Sequence, residues 1–150
     1  MRKRAPESGR VHRVVPGGPG YRLPMPTAAQ LRETVARYEK AASSHDPEIY
    51  AALFAEDAVQ VDPYPSGVHK GREEIKAFIT QSFDACEAMT FEALEVHPVA
   101  DKAAISFHIT VTLEGGSTMH IRGVEVFTVT DDGLIAAVDA FWGDEDVIFE

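Results

Sequence analysis

The 150-residue chain is poor in cysteine and tryptophan, with one of each, Cys86 and Trp142. A lone cysteine excludes an intramolecular disulfide and any cysteine-rich zinc site, and it fits a reducing, cytoplasmic setting. Long apolar runs are missing too. The longest plausible one, Ala103 to Leu113, falls well short of the roughly 20 residues that a spanning helix needs. Positive charge is the minority: 14 Lys and Arg stand against 24 Asp and Glu, a formal net charge of −10. Neither nucleic acid nor a membrane is therefore expected as the main partner. What is present is an ordinary hydrophobic fraction of 45%, enough for one domain burying roughly 70% of its unfolded surface.

Charge is unevenly distributed. Residues 1–24 carry Arg2, Lys3, Arg4, Arg10, Arg13 and Arg22 against Glu7, interspersed with four prolines and four glycines. Such a segment has no periodicity and little apolar content, so a disordered basic tail is expected there. Its basic start is not followed by the about 7–15 apolar residues of a signal peptide. A folded domain is expected over residues 25–150.

Beyond residue 25 the hydrophobic period resolves into elements. Thr27 or a neighbour caps a first helix whose stripe is Leu31, Val35, Tyr38 and Ala42. His45-Asp46-Pro47 ends it and opens a short second helix anchored by Tyr50, Leu53 and Phe54. Ala58 to Asp62 reads as a strand stopped by Pro63 and Pro65. A third helix from Gly71 to about Cys86 buries Ile75, Phe78, Ile79 and Phe83. From Thr90 the period changes to two, giving four strands near 90–99, 103–114, 118–130 and 134–142. Helices followed by a meander of long strands define an α+β class, with three helices covering one face of a curved antiparallel sheet.

The hairpin after Leu113 allows a register argument. A two-residue Gly115-Gly116 turn would set apolar residues beside Thr118, His120 and Arg122. A loop of Gly115-Gly116-Ser117 instead pairs Leu113 with Met119, Val111 with Ile121 and Ile105 with Phe127. A one-residue slip exchanges the two faces of a strand, so the apolar pattern selects the latter. That register sets Glu125 opposite Phe107, on the inner face. A carboxylate buried without a partner is costly, so Glu125 is expected to stay protonated and to act as a hydrogen-bond donor.

Other polar groups also stand at apolar positions. Taken singly, each has an ordinary structural reading. Tyr38, on the buried stripe of the first helix, reads as a core tyrosine tied to a carbonyl. Asp62 before Pro63 reads as a turn starter, Trp142 as core packing, and Glu125 as half of an ion pair across a subunit interface. His108 and His120 fall on the face opposite Glu125, and no histidine spacing suggests a metal site.

Together they resemble the bacterial ketosteroid isomerases of the NTF2-like, SnoaL-like superfamily. The segments carrying the likeness are Val35-Ala36-Arg37-Tyr38, Ala52-Leu53-Phe54-Ala55-Glu56-Asp57-Ala58 running on to Val61-Asp62-Pro63, Val124-Glu125-Val126-Phe127 and Ala140-Phe141-Trp142-Gly143. The likeness covers about residues 28–146. It departs at one place, where Glu125 occupies a position usually held by aspartate.

The resemblance implies a cone-like sheet wrapped around a pocket, dimeric through its outer side, a face that Val124 and Val126 make apolar. It implies a steroid-like substrate, with Asp62 as general base and Tyr38 and protonated Glu125 as donors to an oxyanion. It places Trp142 against the base, with Phe78, Phe107 and Phe127 expected as further substrate contacts. No metal or organic cofactor is expected. Another enzyme of the superfamily, such as a polyketide cyclase or small lyase, and a non-catalytic binding module remain the competing readings.

Overall fold

The structure is a computed structural model that describes residues 25–150; the tail at 1–24 lies outside the described residues. Helix α1, Ala28–Ala42, starts where the sequence places it. The Thr27 hydroxyl accepts from the Gln30 amide at 3.1 Å, and the Gln30 side chain accepts from the Thr27 amide at 2.8 Å. This reciprocal pair satisfies two N-terminal amides that the helix cannot serve internally. Helix α2, Pro47–Ala51, is capped by Asp46, whose carboxylate accepts from the Glu48 amide at 2.9 Å. Helix α3, Arg72–Asp84, buries Ile75, Ile79 and Phe83 on one stripe.

The strands are β1 (Phe54–Val61), β2 (Val68–Lys70), β3 (Ala88–Val99), β4 (Lys102–Thr112), β5 (Thr118–Val129), β6 (Ile135–Phe141) and β7 (Val147–Phe149). They form a single curved, unclosed sheet in the order β2-β1-β6-β5-β4-β3, with β7 on β5. The class is α+β as expected, but the sheet is mixed, because β1 runs parallel to β6 while every other pair is antiparallel. The strand-to-strand periodicity carries no information on direction, so this pairing was not legible. Strand β1 also begins earlier than expected. Phe54 pairs with Ile135 and the Ile135 amide donates to the Leu53 carbonyl at 2.9 Å, which ends α2 before these two residues. Strands β2 and β7, at three residues each, are too short to show a period.

The β4–β5 register differs from the expected one by two positions. Val111 pairs with Met119, Ile105 with Glu125 and Phe107 with Gly123. A slip of two preserves the faces, so Glu125 still points inward, opposite Ile105 instead of Phe107. The turn has the expected three residues but lies one residue earlier: the Leu113 amide donates to the Ser117 carbonyl at 2.9 Å, enclosing Glu114-Gly115-Gly116. Both glycines take positive φ, +88° and +89°, a region where a Cβ is strongly disfavoured. Gly123 serves packing: a Cβ there would lie 2.4 Å from the Phe141 carbonyl oxygen and 2.9 Å from the Phe107 ring.

The core fills the space between α1, α3 and the inner face of the sheet. Phe54, Phe107, Phe127, Ile105 and Ile135 are all fully buried there. Among the described residues no helix is long and apolar enough to cross a membrane.

Candidate active site

The parallel β1–β6 pair positions one wall of the site. Because Val61 pairs with Asp139, the C-terminal ends of both strands lie side by side. Asp62 and Trp142, each just past its strand, therefore meet. The Trp142 indole N–H donates to Asp62 Oδ1 at 2.7 Å. The loop after Asp62 folds back on it: the Asp62 amide donates to the Gly67 carbonyl at 2.8 Å, and the Gly67 amide to the Pro63 carbonyl at 2.9 Å. Only glycine fits at position 67, since a Cβ would stand 2.1 Å from the Asp62 carbonyl oxygen.

The opposite wall is a buried polar cluster. Tyr38 projects from the α1 stripe and Glu125 from mid-β5, with 2% and 1% of their surface exposed. The Tyr38 hydroxyl donates to Glu125 Oε1 across 3.5 Å and lies 3.0 Å from the Tyr50 hydroxyl. The Gln60 amide nitrogen donates to Tyr50 at 2.8 Å. Glu125 Oε2 has no hydrogen-bond partner among the described residues.

Both walls line one cavity of about 390 Å3, a size suited to a small apolar ligand. Phe78 and Ile79 of α3, Met89 of β3, Val111 of β4, and Met119 and Ile121 of β5 contribute much of its apolar lining. Burial drives the electrostatics. Glu125 is pushed well above the usual glutamate range by desolvation first and by the charge of Asp62 second, while its hydrogen bond from Tyr38 works in the opposite direction. Tyr38 is likewise raised by burial, and then by Glu125. Asp62 is raised by burial, but the Trp142 N–H and His69 pull it back down. Two carboxyl groups of the same cavity are thus held in different environments, one enclosed in the core, the other hydrogen-bonded at a strand end.

Of the residues expected from sequence, Tyr38, Asp62, Glu125, Trp142 and Phe78 line this cavity. Phe107 and Phe127 do not, and the expectation of substrate contact is corrected for both. Phe127 packs edge-on against Tyr38 with centroids 4.8 Å apart, and Phe107 stacks on Phe91 at 5.5 Å. They form the layer beneath the cavity because their rings fill the core between the sheet and α1. Tyr50 and Gln60 were not expected in the site. The signal for Gln60 was present: in a strand it shares a face with Ala58 and Asp62 by the period of two.

His108 and His120 lie outside the cavity, on the face away from Glu125. Their rings meet there, with His108 Nε2 2.9 Å from His120 Nδ1. Among the described residues no group of three or more His, Cys, Asp or Glu is arranged to hold a metal ion.

Residues 35–138 match the SnoaL-like domain family. The chain belongs to this family. A curated relative, the Steroid Delta-isomerase of Nocardioides simplex, is 34% identical over 121 residues, spanning 81% of this chain and 96% of the relative. Among solved structures, RV0760c of Mycobacterium tuberculosis in complex with estradiol-17beta-hemisuccinate superposes with a TM-score of 0.72 at 27% identity, covering 80% of this chain and 98% of that one. The epoxide hydrolase/cyclase-like enzyme SalBIII, from pyran ring formation in polyether salinomycin, gives a TM-score of 0.73 at 25% identity, covering 79% and 95%. The protein is thus ketosteroid isomerase-like.

The buried acid has a consequence for stability. Above the ordinary glutamate pKa of about 4.3 the unfolded chain releases a proton that folded Glu125 retains. The folded state then binds more protons, and stability falls as pH rises, by up to about 1.4 kcal/mol per pH unit from this group. A glutamine side chain at this position titrates in neither state. Thermal unfolding of Glu125→Gln against wild type from pH 4 to 8 should show the variant gaining relative stability as pH increases. A gap that does not change with pH would mean that Glu125 is ionised in the fold.

Proposed function

We propose that the protein is a steroid delta-isomerase, moving an allylic proton of a 3-keto-5-ene steroid to give the conjugated 4-en-3-one. The observation that carries this reading is the pairing, in one cavity, of Asp62 with the buried Tyr38–Glu125 cluster.

Asp62 takes a proton from the carbon between the ketone and the double bond. The electron pair delocalises as a dienolate whose charge resides on the ketone oxygen. Asp62 then returns the proton at the far end of the conjugated system, so no atom is gained or lost. Two features suit Asp62 to both halves of this transfer. Burial raises its basicity, and the Trp142 N–H keeps the carboxylate populated. Tyr38 and neutral Glu125 donate to the ketone oxygen as charge develops, in a site where few waters compete. Glu125 Oε2, lacking a protein partner among the described residues, is the group free to carry the second donor hydrogen.

The same reading includes a cytoplasmic homodimer formed through the outer sheet face. Its support is the cross-strand pair Val124 and Phe141, 44% and 42% exposed, which presents apolar surface on that side. Val124→Asp should convert a dimer into a monomer in sedimentation velocity. An unchanged sedimentation coefficient in the variant, or a monomeric wild type, would rule the interface out.

The direct assay follows appearance of the enone from 5-androstene-3,17-dione. Asp62→Asn should lower kcat by about 10²–10⁴-fold while steroid affinity holds or improves. Turnover that survives the change removes Asp62 as the base. Steroid binding without turnover in wild type would favour a binding module, and neither binding nor turnover would favour cyclase-type chemistry, as the likeness to SalBIII allows.

The pH profile offers a separate check. Since the Trp142 hydrogen bond lowers the Asp62 pKa, Trp142→Phe should move the acid limb of kcat/KM to higher pH. A limb that stays in place would show that Asp62 does not control it.

A further inference from the structure

Gln60 is an uncommon residue for the middle of a core. It stands on β1 between the inward Ala58 and Asp62, is fully buried, and has its amide oxygen without a partner among the described residues. A buried acceptor left unpaired is a standing cost, of the kind that native structures retain where the group serves something else. Its nitrogen makes one contact, to the Tyr50 hydroxyl at 2.8 Å.

That contact has a direction. An amide nitrogen donates and cannot accept, so Tyr50 Oη accepts from Gln60. That leaves the single phenolic hydrogen of Tyr50 free to donate to Tyr38, whose hydroxyl is 3.0 Å away. Tyr38 Oη, accepting from Tyr50, has its own hydrogen left for the cavity side, where Glu125 Oε1 lies at 3.5 Å. The reverse arrangement would turn the Tyr38 hydrogen toward Tyr50 and withdraw the donor from the cavity. A chain of hydroxyls has no preferred direction by itself; the Gln60 amide, with its nitrogen turned to Tyr50 and its oxygen left without a partner among the described residues, favours this one. Accepting from Tyr50 also polarises the Tyr38 O–H, since linked hydrogen bonds strengthen one another.

We propose that Gln60 and Tyr50 are positioning residues that orient the Tyr38 hydroxyl as a donor into the cavity. The inference rests on the isomerase reading for its kinetic consequence, because a donor aimed at the ketone oxygen matters most as charge develops there. Neither residue touches the reacting atoms; both act through Tyr38.

The test compares wild type, Gln60→Met, Tyr50→Phe and the double variant. Methionine keeps the length of the side chain without the donor, and phenylalanine keeps the ring. Each single variant should lower kcat by about tenfold, a fraction of the about 10²–10³-fold cost of losing a whole oxyanion donor. KM should stay within about twofold, because the lost interaction is one made in the transition state. In the Tyr50→Phe background Gln60→Met should cost nothing further, because its route to Tyr38 is already broken. Additive losses, or an unchanged kcat in both single variants, would overturn the relay.

A second readout needs no turnover. A phenolic steroid bound in the cavity reports by its absorbance how strongly the site stabilises an oxyanion. Its ionised fraction should fall in Gln60→Met and in Tyr50→Phe. If wild type fails to isomerise the dione, the functional reading fails and this titration alone decides the relay. An ionised fraction equal to wild type in both variants would refute it.

Discussion

Everything in the site depends on holding one carboxyl group, Glu125, inside an apolar fold. Its position in mid-β5, opposite Ile105 and beside Phe127, leaves it 1% exposed, with Tyr38 as its hydrogen-bonding neighbour. An ionised carboxylate is kept there only at a cost of several kcal/mol, so burial pushes the Glu125 pKa up toward the neutral acid. The nearby charge of Asp62 pushes in the same direction.

The second carboxyl group is kept different by topology. Parallel pairing of β1 with β6 puts Asp62 beside Trp142, and the indole N–H stabilises the ionised form. With antiparallel pairing the two strand ends would lie at opposite edges and Asp62 would lose that partner. A single parallel strand pair therefore gives one of the two acids that share a cavity its indole partner. The Gly67 turn, tight enough to exclude a Cβ, fixes the backbone from which Asp62 projects.

Between these groups, the aromatic layer sets orientation. Tyr38 packs edge-on against Phe127 and Phe91, with centroids 4.8 and 5.2 Å away, so its ring is confined and its hydroxyl can reach few partners. Phe107 and Phe127 thus support the site from below without entering it. The family match and the isomerase relative agree with a fold of this kind.

Much of this was readable from residues alone. The period of Leu31, Val35 and Tyr38, the capping role of Thr27 and the inward phase of Glu125 are local or short-range properties, and the chain carries them whatever its final topology. The face of Glu125 survived a register error of two because strand faces repeat every two residues. Long-range choices were different. The parallel β1–β6 contact, the placement of the turn at Glu114-Gly115-Gly116, and the meeting of Gln60 with Tyr50 and Tyr38 depend on which segments compete for the same core space. Residue order was thus sufficient for helices on a sheet with an acid inside. Which groups that acid and its neighbours face emerged on folding, because hydrogen-bond partners far apart in the chain are set by packing, and packing has no local code.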